Sequence, residues 1–342
     1  MDKRISGNVK MLSFVATCLL VIFHAEGFES ANAFSGLDSH CNEFLNYSYK
    51  ALGYFGLCFF FSVTGFLTFY GLNFKNYLSK ISRRLYSLLI PYLIWQLFTL
   101  LKDLCIGRRY DVFDVLIRTF GLELWPLDGP LWYVYVTFFL TLFLAPVLLA
   151  LFYNKKTAWT STLLVFVLLQ LLKAYPDASF QTILNYGLFS RIMLYLPAYM
   201  IGAYYGRFFD KDRLLGLMSY SVAVVFLAYV LDYEFGGFFK SMIMMTLPLA
   251  IIFILPAMPK LEDKKIYGLS FLIYASHYLF IVDFGGLITY GVSLLPLPVT
   301  MLNLIYHLII LVASILLAVM IQLILKKICP KALEIITGGR SA

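Results

Sequence analysis

Charged residues are scarce in this chain of 342 residues. Aspartate, glutamate, lysine and arginine make up only 13% of it, whereas 61% of its residues are hydrophobic and the mean hydropathy is +0.82. A water-soluble domain of this size has too little interior to hide so much apolar surface. The composition therefore excludes a soluble enzyme and predicts an integral membrane protein.

Several sequence motifs are also missing. The chain has no Walker loop, dinucleotide fingerprint, zinc spacing or paired-carboxylate motif, which argues against ATP-driven transport and metal-dependent hydrolysis. Its five cysteines are odd in number, and no two have the spacing of a disulfide framework or a metal site. No internal repeat is evident, and this disfavours a transporter built from inverted repeats.

Long apolar runs fill the chain instead. Runs long enough to cross a bilayer predict about ten transmembrane helices. They leave no room for a soluble domain, so we expect an all-α membrane bundle that forms a single domain over residues 1–342. The predicted helices are residues 10–28, 51–72, 85–106, 130–153, 157–174, 186–208, 213–232, 240–259, 267–290 and 300–325.

The net charge of +8 is better explained by membrane topology than by nucleic acid binding. With both termini in the cytoplasm, most of the 27 lysine and arginine residues fall on the cytoplasmic side, as the positive-inside rule requires. The two long outer loops are then residues 29–50 and 107–129. Loops of this length suit a site that receives a substrate from the outer face, although they also serve as spacers.

His24 is the strongest candidate for chemistry because it is a titratable residue in an otherwise apolar first helix. Such residues are costly at membrane depth and usually face a cavity or a partner. Lys10, Ser13 and Thr17 precede it at spacings that place all four near one face of the helix. This polar stripe predicts a functional site, and a hydrogen bond between helices is the alternative role for His24.

Lys80, Arg83 and Arg84 form a compact basic cluster just before the third predicted helix. At a cytoplasmic helix start, such cations can bind phosphates through charge-assisted hydrogen bonds. The positive-inside rule explains the same cluster without any ligand.

Aromatic and charged residues near the outer face are candidates for binding an acceptor. Trp132 and Tyr133 open the fourth predicted helix, where they fit either a sugar-binding surface or an interfacial aromatic belt. Arg191 is a charge near the outer end of the sixth predicted helix.

The ninth predicted helix carries a second polar stripe. Ser270, Tyr274 and His277 lie on one of its faces by their spacing. They are candidates for a site at membrane depth, and structural hydrogen bonding is the alternative.

Small residues in two helices predict close backbone packing. Gly65 follows Thr64 in the second helix, and Gly202 and Gly206 form a small-residue pair in the sixth. Residues of this size allow helices to approach closely in membranes.

Taken together, these stretches resemble the acyltransferase 3 family of bacterial membrane O-acyltransferases, which modify lipopolysaccharide O-antigens, exopolysaccharides, peptidoglycan and related surface glycans. The resemblance spans nearly the whole chain and rests on the order and spacing of short motifs. These are residues 20–25, 63–67, 80–84 followed by Pro91 and Tyr92, 130–133 and 270–277.

The resemblance implies a mechanism. The donor would be cytoplasmic acetyl-CoA or another acyl-CoA, used as a co-substrate without any tightly bound cofactor, and its phosphates would contact Lys80, Arg83 and Arg84. His24 would be the catalytic residue, either as a base that deprotonates a sugar hydroxyl or as a carrier of the acyl group. The acceptor would be a glycan or lipid-linked glycan, with the protein in the bacterial cytoplasmic membrane. The residues predicted to bind the acceptor are Trp132, Tyr133, Arg191, Tyr274 and His277.

Ser13 departs from the family pattern, which usually has an arginine eleven residues before the first-helix histidine. We expect Lys10, one turn earlier on the same face, to take that place beside Ser13 in the donor site. Thr64 stands where the family often has serine. These differences indicate a divergent subfamily.

Two other classes of function stay open from the sequence. A flippase or exporter of lipid-linked glycan would also use polar stripes, basic loops and outer aromatic residues, but it would have no use for CoA. A membrane sensor or partner subunit without catalysis would tolerate the loss of His24.

Overall fold

The computed structural model describes residues 3–26, 39–120, 125–174, 187–208, 238–256 and 264–340. Within these ranges the chain forms thirteen α-helices and no strand. Short 3₁₀ turns precede α6 (Gly129–Leu131) and α11 (Lys265–Leu269). The helices are α1 (Lys3–Glu26), α2 (Ser39–Phe69), α3 (Tyr77–Arg84), α4 (Ile90–Cys105), α5 (Val112–Thr119), α6 (Trp132–Phe139), α7 (Ala145–Leu151), α8 (Lys155–Ala174), α9 (Gly187–Arg207), α10 (Phe238–Ile254), α11 (Ser270–Ser293), α12 (Val299–Ile328) and α13 (Pro330–Thr337).

Six helical segments in the described ranges are long and apolar enough to cross a membrane, and they correspond to predicted helices one to four, nine and ten. The all-helical bundle expected from the sequence is therefore confirmed. Predicted helices five, six and eight match α8, α9 and α10. The predicted helix 213–232 lies outside the described residues, so the total of about ten spans stays a prediction.

The surface of α12 suits a lipid environment. Its exposed side chains include Leu304, Leu308, Val312 and Leu316, which recur every four residues and so lie on one face. Its buried side chains include His307. The exposed face of α12 is therefore apolar, whereas its polar residues Asn303, His307 and Ser314 lie on the buried side, as expected for a helix at the edge of a membrane bundle.

The start predicted for the second helix is wrong. Helix α2 begins at Ser39 rather than at residue 51, so the predicted outer loop 29–50 is helical from Ser39 onward. Polar residues lower the hydropathy of this part, but no glycine or proline interrupts the helix before Gly53.

The start predicted for the third helix is also wrong, because α3 begins at Tyr77 rather than at residue 85. Asn73 and Asn76 close the turn before it, since each backbone N–H donates to the other's side-chain oxygen at 2.9 Å. The basic cluster therefore lies within the helix rather than ahead of it.

Two prolines coincide with wide helical turns. Pro91 follows the π turn Leu85–Leu89, and Pro146 follows the π turn Leu140–Leu144. Proline has no N–H to bond the carbonyl four residues earlier, and a π turn accommodates that missing bond. The first turn directly follows Arg84, the last residue of α3.

Helix α2 lies at the centre of the bundle, where it packs against α1, α9 and α10. Its contact with α9 depends on glycine. A Cβ atom on Gly65 would overlap the carbonyl of Tyr199, and one on Gly202 would overlap the carbonyl of Ser62. Gly206 makes a similar approach, so the close packing predicted for these glycines is confirmed.

Candidate active site

Two histidines from different helices meet inside the bundle. His24 lies near the end of α1, and His277 lies in the first half of α11. Their ring nitrogens, Nδ1 of His24 and Nε2 of His277, are 2.9 Å apart. His277 is fully buried, whereas His24 keeps partial exposure. The structure thus joins the two polar stripes found in the sequence.

The backbone around His277 fixes the proton positions of the neutral pair. Nδ1 of His277 lies 2.7 Å from the carbonyl oxygen of Tyr274, and a carbonyl only accepts hydrogen bonds, so Nδ1 must carry the proton. Nε2 of His277 is then the acceptor for the Nδ1–H of His24. This leaves Nε2 of His24 with a free lone pair, and no described residue donates a hydrogen bond to it.

A cavity of about 170 Å³, called here the central cavity, lies along α1 and α11 on one side of the histidine pair. Ser13 and Thr17 of α1 line it, and both precede His24. Tyr274 lines it from α11, one helical turn before His277. Because the same residue order holds on both helices, α1 and α11 run in the same direction. Both histidines lie further along these helices than the lining residues, and neither is itself in the lining.

The other side of the central cavity leads to the basic end of the bundle, defined as the end where α1, α3 and α11 begin. The first basic cavity, of about 230 Å³, is lined by Lys80, Arg83 and Arg84. The second basic cavity, of about 500 Å³, has four cations in its lining. They are Lys10, Lys264, Lys265 and Arg340.

Two arginines connect the three cavities. Arg84 lines both the central and the first basic cavity, and Arg340 lines both the central and the second. No aspartate or glutamate is among the described residues that line any of the three. These cavities therefore favour an anion, because basic side chains without acidic neighbours can bind one by charge-assisted hydrogen bonds.

Helical spacing brings the basic cluster to one face of α3. Lys80, Arg83 and Arg84 stand at positions i, i+3 and i+4, which are neighbours on a helix. Nζ of Lys80 also donates to the carbonyls of Thr68 and Tyr70 at 2.9 and 2.6 Å, near the end of α2. Lys80 therefore has a structural contact in addition to its place in the first basic cavity.

Two predicted acceptor residues, Tyr133 and Tyr274, lie in the wall of the central cavity. The hydroxyl of Tyr133 is 2.8 Å from Oγ1 of Thr64 and donates to the carbonyl of Phe60 at 3.0 Å. The hydroxyl of Tyr274 donates to the carbonyl of Pro130. Their hydroxyls are engaged by the protein, so their rings shape the cavity.

Trp132 and Arg191 were also predicted to bind the acceptor. They form a separate group with Trp125. The guanidinium of Arg191 lies 3.9 Å from the ring centroid of Trp125 and 5.7 Å from that of Trp132. The ring of Tyr195 is 5.6 Å from that of Trp132. The structure therefore does not bring this aromatic group together with Tyr133 in one cavity.

Asp128 is a residue near the histidines that the sequence analysis missed. It is fully buried, and neither carboxyl oxygen has a hydrogen-bond partner in the described part of the chain. Burial raises its pKa well above the ordinary range, while Lys102 acts in the opposite direction. Tyr278 lies between it and the site, since a Cβ atom on Gly129, the residue after Asp128, would lie 3.4 Å from the Tyr278 ring, and that ring is 6.2 Å from the ring of His24.

Asp128 had one signal in the sequence, its place directly before the apolar run that starts at Gly129. A carboxyl at the edge of such a run is a candidate for burial. Arg340 was missed because the positive-inside rule already accounted for basic residues near the C-terminus.

The fold and the site define a helical membrane protein with a histidine pair at membrane depth and basic cavities beside it. The family model of acyltransferase 3, described as an acyltransferase domain, matches residues 9–323. The chain belongs to the acyltransferase 3 family, which confirms the resemblance seen in its motifs. No curated protein and no solved structure matches it. Family membership favours acyl transfer over the exporter and sensor alternatives.

Proposed function

We propose that the protein transfers an acetyl group, or another short acyl group, from acyl-CoA to a hydroxyl of a cell-surface or exported glycan. The observation that carries this proposal is the contact between His24 and His277, because it leaves Nε2 of His24 free to accept a proton. The family supports the acyl transfer itself.

The three cavities support a donor with phosphate groups. In this proposal the phosphates of acyl-CoA bind at the basic end, where Lys80, Arg83 and Arg84 are free of carboxylate neighbours within the described lining. The thioester arm extends through the central cavity toward Tyr274 and the histidines. Lys10 and Ser13 line the second basic cavity on the same path.

The reaction follows from the proton positions. Nε2 of His24 takes the proton of the acceptor hydroxyl as the hydroxyl oxygen attacks the thioester carbonyl. The tetrahedral intermediate then expels the CoA thiolate, which takes the proton back from His24. Throughout, Nε2 of His277 accepts the Nδ1–H of His24 and so stabilises the imidazolium, as the orienting member of a triad does.

The same geometry also allows a covalent route. Nε2 of His24 attacks the thioester carbonyl and CoA leaves as the thiolate, which gives an N-acyl imidazolium. The acceptor hydroxyl then attacks the acyl carbon, the neutral imidazole is released, and the hydroxyl proton passes to the CoA thiolate. His277 orients His24 in both routes.

The acceptor would approach from the end opposite the basic one. There the aromatic group of Trp125 and Trp132, with Arg191 over it, is suited to stack on a sugar ring. This arrangement fits a protein of the bacterial cytoplasmic membrane whose termini and basic end face the cytoplasm.

Donor binding separates this proposal from an exporter. We expect acetyl-CoA at 100 times its Kd to stabilise purified wild-type protein and His24→Ala alike, by about 2.7 kcal/mol. The combined variant Lys80→Gln, Arg83→Gln, Arg84→Gln should lose this stabilisation because it removes the phosphate contacts. Thermal unfolding in detergent, with and without acetyl-CoA, measures the effect.

The matched control is Lys326→Gln, Lys327→Gln, Lys331→Gln, which removes three exposed lysines near the same end of the bundle. It should bind acetyl-CoA as the wild type does. Absence of any acetyl-CoA effect on the wild-type protein would contradict the proposal and favour the exporter.

A further inference from the structure

Arg340 lies beyond the last membrane-spanning helix and beyond the region matched by the family, yet its side chain enters the bundle. It lines both the central and the second basic cavity. Its guanidinium lies 4.6 Å from the ring centroid of Phe271 in α11, and its Nη1 donates to the carbonyl of Thr337 at 3.3 Å. The C-terminal segment therefore contributes a cation to the interior of the protein.

The C-terminal helix α13 holds Arg340 in this place. Leu333 of α13 is buried, and Nε1 of Trp95 in α4 donates to the carbonyl of Ile336 at 3.1 Å. Helix α13 packs against α4 and α12. The segment is therefore docked on the bundle before it reaches Arg340.

Two glycines turn the chain from α13 into the cavity. Gly338 and Gly339 have φ values of 60° and 74°, and Gly339 N–H donates to the carbonyl of Glu334 at 2.8 Å. This is the Schellman arrangement, which favours glycine because its left-handed conformation strains other residues. A Cβ atom on Gly338 would also overlap the carbonyl of Ser87, which lies in the π turn before Pro91.

Arg84 is the second arginine of the central cavity, and neither it nor Arg340 forms an ion pair with a described residue. Burial and the like charge of Arg84 lower the pKa of Arg340 only to about 10, so Arg340 is charged at neutral pH, and the guanidinium of an arginine such as Arg84 is not deprotonated in proteins. Two like charges in one cavity without a counter-charge are unfavourable. The missing counter-charge indicates an anionic ligand.

We propose that Arg340 binds the phosphate groups of the acyl-CoA donor together with Arg84, so that the C-terminal segment forms part of the donor site. This inference rests on the proposed function. Helix α1 contributes Ser13 and Thr17 to the central cavity but no cation. Lys10, the residue expected to act there, is exposed and lines the second basic cavity rather than the central one.

The test compares two donors that differ in phosphate. Acetyl-CoA carries the phosphates, and S-acetylpantetheine has the same thioester arm without them. We expect Arg340→Gln to raise the KM for acetyl-CoA about 10- to 100-fold, because hydrogen bonds to a charged group are lost. With S-acetylpantetheine the variant and the wild type should have the same kcat/KM.

Two further variants make the result specific. Arg340→Lys keeps the charge but loses the planar fork that binds phosphate through two bonds, so its KM should be intermediate. Lys331→Gln removes an exposed charge from α13 and should behave as the wild type. An unchanged KM for acetyl-CoA in Arg340→Gln would overturn the inference, and so would an equal loss with both donors, which indicates a structural role.

The experiments can disprove the inference about Arg340 without disproving the proposed function, and the reverse. If the wild type consumes acetyl-CoA and Arg340→Gln consumes it equally well, only the inference is lost. If the wild type consumes neither thioester, the proposed function fails. Binding of adenosine 3′,5′-bisphosphate then tests whether Arg340 belongs to an anion-binding site. If the wild type binds adenosine 3′,5′-bisphosphate and Arg340→Gln does not, Arg340 belongs to the anion site. Equal binding by both proteins overturns that assignment.

Discussion

Asp128 brings a carboxyl group into a buried position near the candidate active site. Burial raises its pKa in the folded protein well above the value of the unfolded chain, which is near 3.9. At pH below the unfolded value both states are protonated, and the group contributes nothing to stability. As the pH rises above it, the unfolded chain ionises first, so the free energy of unfolding falls until the folded pKa is reached.

We therefore expect Asp128→Asn to raise thermal stability at pH 7.5, by about 1.4 kcal/mol for each unit by which the folded pKa is raised. The gain should vanish at about pH 3, well below the unfolded pKa, where the wild-type carboxyl is mostly protonated in both states. Thermal unfolding of both proteins across this pH range measures it.

Asp283→Asn is the matched control because Asp283 is half-exposed and pairs with Nζ of Lys102 at 2.8 Å. It should not gain stability at pH 7.5. A lower stability of Asp128→Asn at pH 7.5, or a gain that does not depend on pH, would contradict the account.

Single residues were predicted unevenly. His24 and His277 each stood out as a polar group in an apolar helix, but their contact joins residues 253 positions apart, and periodicity within one helix does not show it. Arg340 and Asp128 could be identified only from the packing of the structure. Arg340 enters the cavity because α13 is docked on the bundle, and Asp128 stands out because it is buried. Their roles depend on neighbours from other elements.

At the scale of helices, the contact between α2 and α9 is where the backbone packing is tightest among the glycines described. Gly202→Ala should destabilise the protein by about 1–3 kcal/mol or more, because its Cβ would overlap a carbonyl that belongs to the rigid backbone of α2. Thermal unfolding in detergent and the yield of folded protein measure this loss.

Gly286→Ala is the control at this scale. Gly286 lies in α11 with no atom within 4 Å of an added Cβ, so alanine there should be neutral or stabilise the helix by up to about 1 kcal/mol. Equal stability of the two variants would show that glycine does not set the distance between α2 and α9.

Apolar runs predicted most helices but not their ends. The early starts of α2 and α3 fall in mixed polar sequence, where hydropathy is low although the local residues allow a helix. The π turns before Pro91 and Pro146 follow from the missing N–H of proline, yet the sequence alone does not show how the helix adjusts.

At the scale of the whole molecule, the site has an order along the bundle. The basic cavities come first, then the central cavity, and then the histidine pair. The 14 residues from Lys10 to His24 cover about 21 Å of helix, which is more than half of a bilayer core of about 30 Å. A donor entering at the basic end would thus meet an acceptor from the other side at His24.

Composition and motif order predicted the membrane bundle and the family, because both are properties of the chain as a whole. The cytoplasmic termini and the full number of spans remain predictions. The cavities were beyond sequence reasoning because they arise between helices that are distant in the chain.

The central claim is that His24 is the catalytic residue of an acyl transfer, and the most direct test is the rate of acetyl-CoA thioester consumption by the purified full-length protein. His307→Ala is the control, since His307 is another histidine in a membrane-spanning helix, where it stacks on Tyr49 with ring centroids 4.1 Å apart. The account predicts that His24→Ala binds acetyl-CoA but loses about 10²–10⁴-fold in rate, while His307→Ala keeps the wild-type rate per folded molecule. A wild-type rate in His24→Ala, or an equal loss in both variants, would contradict it.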